Sequence, residues 1–207
     1  YVKGNQTTIE DVFSFNNTAQ RGGSTFIEGN DTIVHNCTLN NNNAISNGTE
    51  GTGRGGGLDI AGERCQVYDL DVSNNHADGE GGAIYVKTDG IEFYDIYSYN
   101  NTAELGGSSF ILGNDITIHN CTFDNNSATL RGGGLNIAGD RCTVYDVEVS
   151  NNGAGTDGGA VYVKGDNATF NNVNSTNNTA ERGGSSFIAG DNINVANCHL
   201  DKNTASN

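Results

Sequence analysis

The sequence predicts an all-β fold, a parallel β-helix of about eight coils, and three observations point to it. A glycine pair returns at a near-constant step along the 207 residues. A short stretch of alternating apolar residues follows each pair. Asn, Asp and Ala then recur in fixed phase to that stretch. Repeats of this period mean stacked units that share one narrow core. The composition agrees: 34% apolar residues, 30 glycines and no proline, methionine or tryptophan suit a thin repeated core better than a globule.

The second glycines of the pairs are Gly23, Gly56, Gly82, Gly107, Gly133, Gly159 and Gly184, giving steps of 33, 26, 25, 26, 26 and 25 residues. The long first step contains an insertion near Ile45–Thr52. A step of about 25 residues accommodates three strands and three turns, and eight coils at ~4.8 Å strand spacing give a rod of about 35–40 Å. The segment 1–207 reads as one such rod.

After each glycine pair come two inward residues spaced by two: Thr25 and Ile27, Leu58 and Ile60, Ile84 and Val86, Ser109 and Ile111, Leu135 and Ile137, Val161 and Val163, Ser186 and Ile188. A second strand supplies Ile9, Val34, Val67, Phe93, Ile118, Val144, Phe170 and Val195. A third opens with Val12, Cys37, Leu70, Ile96, Cys121, Val147, Val173 and Cys198. Stacked in register, these columns make a continuous core.

Two polar columns are equally regular. One is Asp11, Asn36, Asp69, Asp95, Asn120, Asp146, Asn172 and Asn197; the other is Asn17, Asn42, Asn75, Asn101, Asn126, Asn152, Asn178 and Asn203. Asn and Asp tolerate left-handed backbone and bond locally in turns. Stacked once per coil, they are expected to bond along the axis as an asparagine ladder. An Ala column from Ala19 to Ala205 fits a tight corner after it. The coils also come in three types: Tyr85-Val86-Lys87 returns after 77 residues as Tyr162-Val163-Lys164 and matches Tyr1-Val2-Lys3.

Gly81-Gly82-Ala83-Ile84, Gly158-Gly159-Ala160-Val161 and Phe123-Asp124-Asn125-Asn126 resemble the GGAI and FxxN repeats of polymorphic outer-membrane autotransporter passengers. The chain is also similar to the repeat regions of archaeal adhesin-like surface proteins. The resemblance implies a right-handed parallel β-helix serving as a passenger, stalk or adhesin, extracellular and at the cell surface.

Charge narrows the partners. A net charge of −15 argues against nucleic acid and against an anionic membrane surface. No run of 18 apolar residues is present, so no direct membrane insertion is expected. No signal peptide and no terminal cap is visible. The chain therefore reads as a piece of a longer array or as a subunit stacked end to end on copies of itself, the longer array being favoured.

The expected function is a structural or adhesive segment, not an enzyme. The alternative is a β-helical carbohydrate-active enzyme, a pectate-lyase-like lyase or a glycosidase. Arg21, Arg54, Arg131 and Arg182 sit near Glu80 and Asp157, with Arg64 over Asp31 and Arg141 over Asp115, but these charges obey the repeat, whereas a catalytic site breaks one. His35 and His119 lie three coils apart, too far to share a metal. No cofactor is expected; calcium at the turn of Asp140, Asp166 and Asp191 is the lesser reading beside a screened turn.

Three further expectations concern side chains. Five buried, reduced thiols are expected, because Cys37 and Cys65, like Cys121 and Cys142, sit around a corner with α-carbons ~10 Å apart, beyond the ~7 Å reach of a disulfide. Tyr1, Phe26, Tyr85, Phe110, Tyr162 and Phe187 form an outward column expected to meet solvent and to make lateral contacts with another rod, cell-surface glycans or proteins. Among the Asn-x-Ser/Thr acceptors, Asn5, Asn16, Asn30, Asn47, Asn100, Asn125, Asn167, Asn174 and Asn177 are expected to be exposed and glycosylated. No sugar is expected on Asn36 or Asn120, since their amides should be engaged by their neighbours in a ladder.

Overall fold

The computed structural model describes all 207 residues and contains strands and turns but no helix. Three parallel sheets of seven, eleven and eight strands run the length of the molecule, each with its strands in coil order. One coil shows the plan. Ile84–Val86 forms the first face, Glu92–Tyr99 the second, bent at Asp95, and Thr102–Leu105 the third. Each strand pairs with its equivalent one coil on, so Val67 faces Phe93 and Phe93 faces Ile118. The result is a β-solenoid of eight coils.

Left-handed residues make the corners. The column from Asp11 to Asn197 has φ between 50° and 56°. Asn16, Asn41, Asn74, Asn100, Asn125, Asn151 and Asn177 form a second such column. The first glycine of each pair forms another, as at Gly132 with φ 66°. Asn and Asp accept this geometry because their short side chains bond locally. The sequence expectation is off by one residue here: the column from Asn17 to Asn203 is not left-handed, and the residue before it is. The second glycine of each pair has a different constraint. A Cβ on Gly133 would lie 2.4 Å from the carbonyl oxygen of Gly159, so any side chain would push the coils apart.

The core is one cluster of 33 buried residues filled by the expected columns. Its cysteines are free thiols, and four of the five are buried. Cys198, in the last coil, is only half-buried, which corrects the expectation for that residue. Burial pushes the Cys121 thiol up to about 12 and Cys142 to about 11, and raises Cys37 and Cys65. Their thiolate populations at neutral pH are negligible, so they behave as small apolar residues.

The inward asparagines hydrogen-bond from coil to coil. Asn126 is 1% exposed. Its Oδ1 accepts both the backbone N–H and the side-chain amide of Asn101, each at 3.0 Å. Its own N–H and Nδ2 donate to Asn152 Oδ1 at 2.8 and 3.1 Å. Equivalent bonds run from Asn17 through to Asn203. A buried amide with all its bonds made costs little, but an orphaned partner costs ~1–3 kcal/mol.

Replacing Asn126 with Leu is therefore expected to destabilise the rod by roughly 3 kcal/mol, because several buried partners lose their bonds at once. Replacing the exposed neighbour Asn125 with Ala should change the urea midpoint far less. Thiol titration should find five reactive groups in denaturant, and in the native rod Cys198 should react before the others.

Candidate functional site

The middle of the outward aromatic column is shut off from solvent. Tyr1, Phe26, Asp59, Tyr85, Phe110, Asn136, Tyr162 and Phe187 stack in register on the first face. Yet Tyr85 is 0% exposed, Phe110 6% and Tyr162 7%. Phe26 and Phe187 are half-buried, and only Tyr1 is open. The row preceding the glycines covers them. Guanidinium carbons of Arg21, Arg54, Arg131 and Arg182 lie over Phe26, Tyr85, Tyr162 and Phe187 at 3.7, 4.9, 5.1 and 5.0 Å from the ring centroids. Cation–π attraction of this kind is worth ~0.5–2 kcal/mol, more when desolvated. The lateral-contact expectation is therefore corrected for Tyr85, Phe110 and Tyr162, which belong to a second, outer packing layer.

Carboxylates hold three of those four arginines. Arg21 pairs with Asp59 at 2.8 Å, Arg54 with Glu80 at 2.7 Å and Arg182 with Asp157 at 2.7 Å. Asp59 is fully buried, and desolvation raises its pKa against the opposing pull of Arg21. The Tyr85 hydroxyl has no hydrogen-bond partner, and burial pushes it up to about 12.

Aromatic rings do reach solvent on the second face. Tyr97 and Tyr99 are 46% and 37% exposed, with rings parallel within 5° and 6.4 Å apart. Phe13 and Phe15 take the same positions three coils earlier and are more exposed. Asp71 stacks beside Tyr97, and Asp124 beside Tyr99. Before the bend lies an unbroken stack of His35, Tyr68, Tyr94, His119 and Tyr145, with centroids 4.7–5.2 Å apart. Sequence reasoning missed this stack. Its signal, an aromatic residue one position after the second inward column in five successive coils, mixes His with Tyr.

Three 19-residue stretches, 69–87, 120–138 and 146–164, match the Chlamydia polymorphic membrane protein repeat. The chain thus resembles that family in its repeat. The match bears out the likeness read from the GGAI and FxxN motifs. Each stretch begins at the left-handed Asp69, Asn120 or Asp146, takes in an inward asparagine and a glycine pair, and closes just past a first-face strand. The polymorphic membrane protein repeat therefore runs from a left-handed corner through the glycine pair to the first face. Neither the curated proteins nor the solved structures compared with the chain give a match.

The carboxylates of the Asp140 turn are engaged from coil to coil. Asp140 Oδ1 accepts the backbone N–H of Asp166 at 2.8 Å, and Asp166 Oδ1 accepts that of Asp191 at 2.7 Å. Each carboxylate thus serves the next coil, and no three acidic, histidine or cysteine side chains converge on a metal position. Arg64 pairs with Asp31 and Arg141 with Asp115, as expected, and each arginine holds its aspartate below the usual carboxylate range. These pairs are exposed and of small energetic weight. His35 and His119 stand apart in the ring stack with Tyr68 and Tyr94 between them.

Eight of the nine proposed acceptor asparagines are exposed, and Asn30 is half-buried. The amide nitrogens of Asn100, Asn125 and Asn177 already donate to the preceding coil, to Asn74, Asn100 and Asn151. Asn36 and Asn120 lie at exposed corners. Their amides are nonetheless engaged, by Asp11 and Asp95.

Two outcomes follow for the covered layer. Tyr85→Ser should cost about 3–5 kcal/mol, the scale of emptying a packed aromatic site, whereas Tyr97→Ser should be nearly silent in urea unfolding. The folded rod holds the Asp59 proton more tightly than the unfolded chain does. The stability contributed by this carboxyl is thus fullest below its ordinary pKa of 3.8 and is lost as pH rises through the raised folded pKa. Urea midpoints of wild type and Asp59→Asn should accordingly shift in favour of the variant between pH 3 and pH 7.

Proposed function

We propose that the chain is a stiff, surface-displayed rod whose second face makes adhesive contacts. The observation that carries this is the pairing of Tyr97 with Tyr99, and of Phe13 with Phe15, on a solvent-facing strand of an otherwise regular scaffold. Exposed aromatic clusters rimmed by polar groups mark interaction sites. The polymorphic membrane protein repeats support display at the outer surface of a cell. The role is mechanical and needs no catalysis. The stacked core resists bending, and the partners are cell-surface glycans or proteins. At the last coil, Ile188, Val195 and Leu200 are 42%, 53% and 60% exposed, and a further coil or a second copy of the chain would cover them.

Glycosylation belongs to this reading. Asn5, Asn16, Asn30, Asn47, Asn167 and Asn174 are the preferred acceptors, because their amide nitrogens donate to no protein group. Asn100, Asn125 and Asn177 are secondary, since a sugar there must share the nitrogen with a coil-to-coil bond.

Adhesion of the 207-residue rod to host or neighbouring cell surfaces should fall at least several-fold in the Tyr97→Ser/Tyr99→Ser double variant with unfolding unchanged; undiminished adhesion would overturn the assignment of this face. Glycopeptide mass spectrometry of native material should find sugars on the preferred acceptors and none on Asn36 or Asn120.

A further inference from the structure

We propose that Tyr68 and Tyr94 form an oxidative cross-linking site that joins coils three and four through a dityrosine bond. Their rings lie 4.7 Å apart and parallel within 7°, the closest ring pair in the molecule. Backbone pairing puts their α-carbons directly opposite each other on adjacent strands. His35 stacks on the far side of Tyr68 and His119 on the far side of Tyr94, so neither ring is free to swing away along the axis.

Both rings are half-exposed at the surface, which leaves them within reach of an oxidant. Partial burial, and then the neighbouring Tyr68, Asp69, Glu92 and Asp95, raise the Tyr94 pKa. The phenol therefore stays protonated at rest.

The oxidant is a peroxidase-type one-electron acceptor that consumes hydrogen peroxide. Each phenol loses one electron and its hydroxyl proton, giving two phenoxyl radicals held face to face. Their ortho carbons join in one carbon–carbon bond. The hydrogen on each joined carbon then moves to the phenoxyl oxygen and restores both phenols. Hydrogen peroxide takes up the two electrons and two protons and leaves as two waters. The buried thiols do not compete, since burial keeps Cys65 and Cys121 protonated. The other stacked tyrosine pair, Tyr97 and Tyr99, lies on a single strand at 6.4 Å and serves as an internal comparison.

The test treats the dilute 207-residue chain with horseradish peroxidase and hydrogen peroxide. The monomer band should acquire dityrosine fluorescence, and peptide mapping should find one cross-linked pair containing Tyr68 and Tyr94, lighter by two hydrogens. Tyr94→Phe and Tyr68→Phe, each checked for native circular dichroism, should lower that fluorescence at least ten-fold, whereas Tyr97→Phe should not. Fluorescence undiminished in Tyr94→Phe, dityrosine confined to dimers, or oxidised tyrosines without coupling would each overturn the proposal.

Discussion

Everything in this rod depends on holding successive coils at one axial step. Of its 138 backbone hydrogen bonds, 80 lie outside the regular strands, so the corners are tied from coil to coil as thoroughly as the sheets. The buried asparagines work at the same step. One Oδ1 receives two N–H groups from the coil before, and the same residue donates two bonds to the coil after. A chain that spaced its coils differently would orphan these groups, and an orphaned buried group costs more than a typical bond contributes. The glycine pairs enforce the step from the repulsive side, because the backbone of the next coil occupies the place of a side chain.

This dependence explains how much could be read from residues alone. Period-two alternation identified the columns from Val34 to Phe170 and from Ile27 to Val163, because an inward residue needs no partner beyond its own kind. Arg64 over Asp31 could be seen because one coil step links them. Alternation specifies the side of a strand but not what lies over it. Tyr85 and Phe110 point away from the core and are buried all the same, under a row belonging to the chain leading into the glycine pair. The left-handed corner was placed one residue late, because Asn16 and Asn17 are the same residue type in opposite roles. The His–Tyr stack went unseen because it mixes two residue types and its ends run into Glu10 and Asn171.

The acidity of the chain is distributed by the same repeat. Carboxylates at the turn accept backbone N–H groups of the following coil, and those of the first face clamp arginines over aromatic rings. Like charges one coil apart are thus offset, since Asp140 and Asp166 each accept a backbone N–H of the coil that follows. What faces outward is an acidic surface interrupted by rings. Like-charged polymers are repelled from such a surface.

The insertion near Ile45–Thr52 shows what the scaffold permits. Asn43 and Ala44 pair normally with His76 and Ala77 just before it, and Arg54 bridges to Glu80 just after it. The extra residues leave and rejoin the rod without disturbing the register of any later coil. Length can therefore vary at this corner as a bulge, while a residue added inside a strand would turn the rest of that strand's side chains to the wrong face until the next turn absorbed it. Rods built on this plan can diversify by hanging new loops from one edge or by duplicating whole coils, and the shared framework never has to be re-solved.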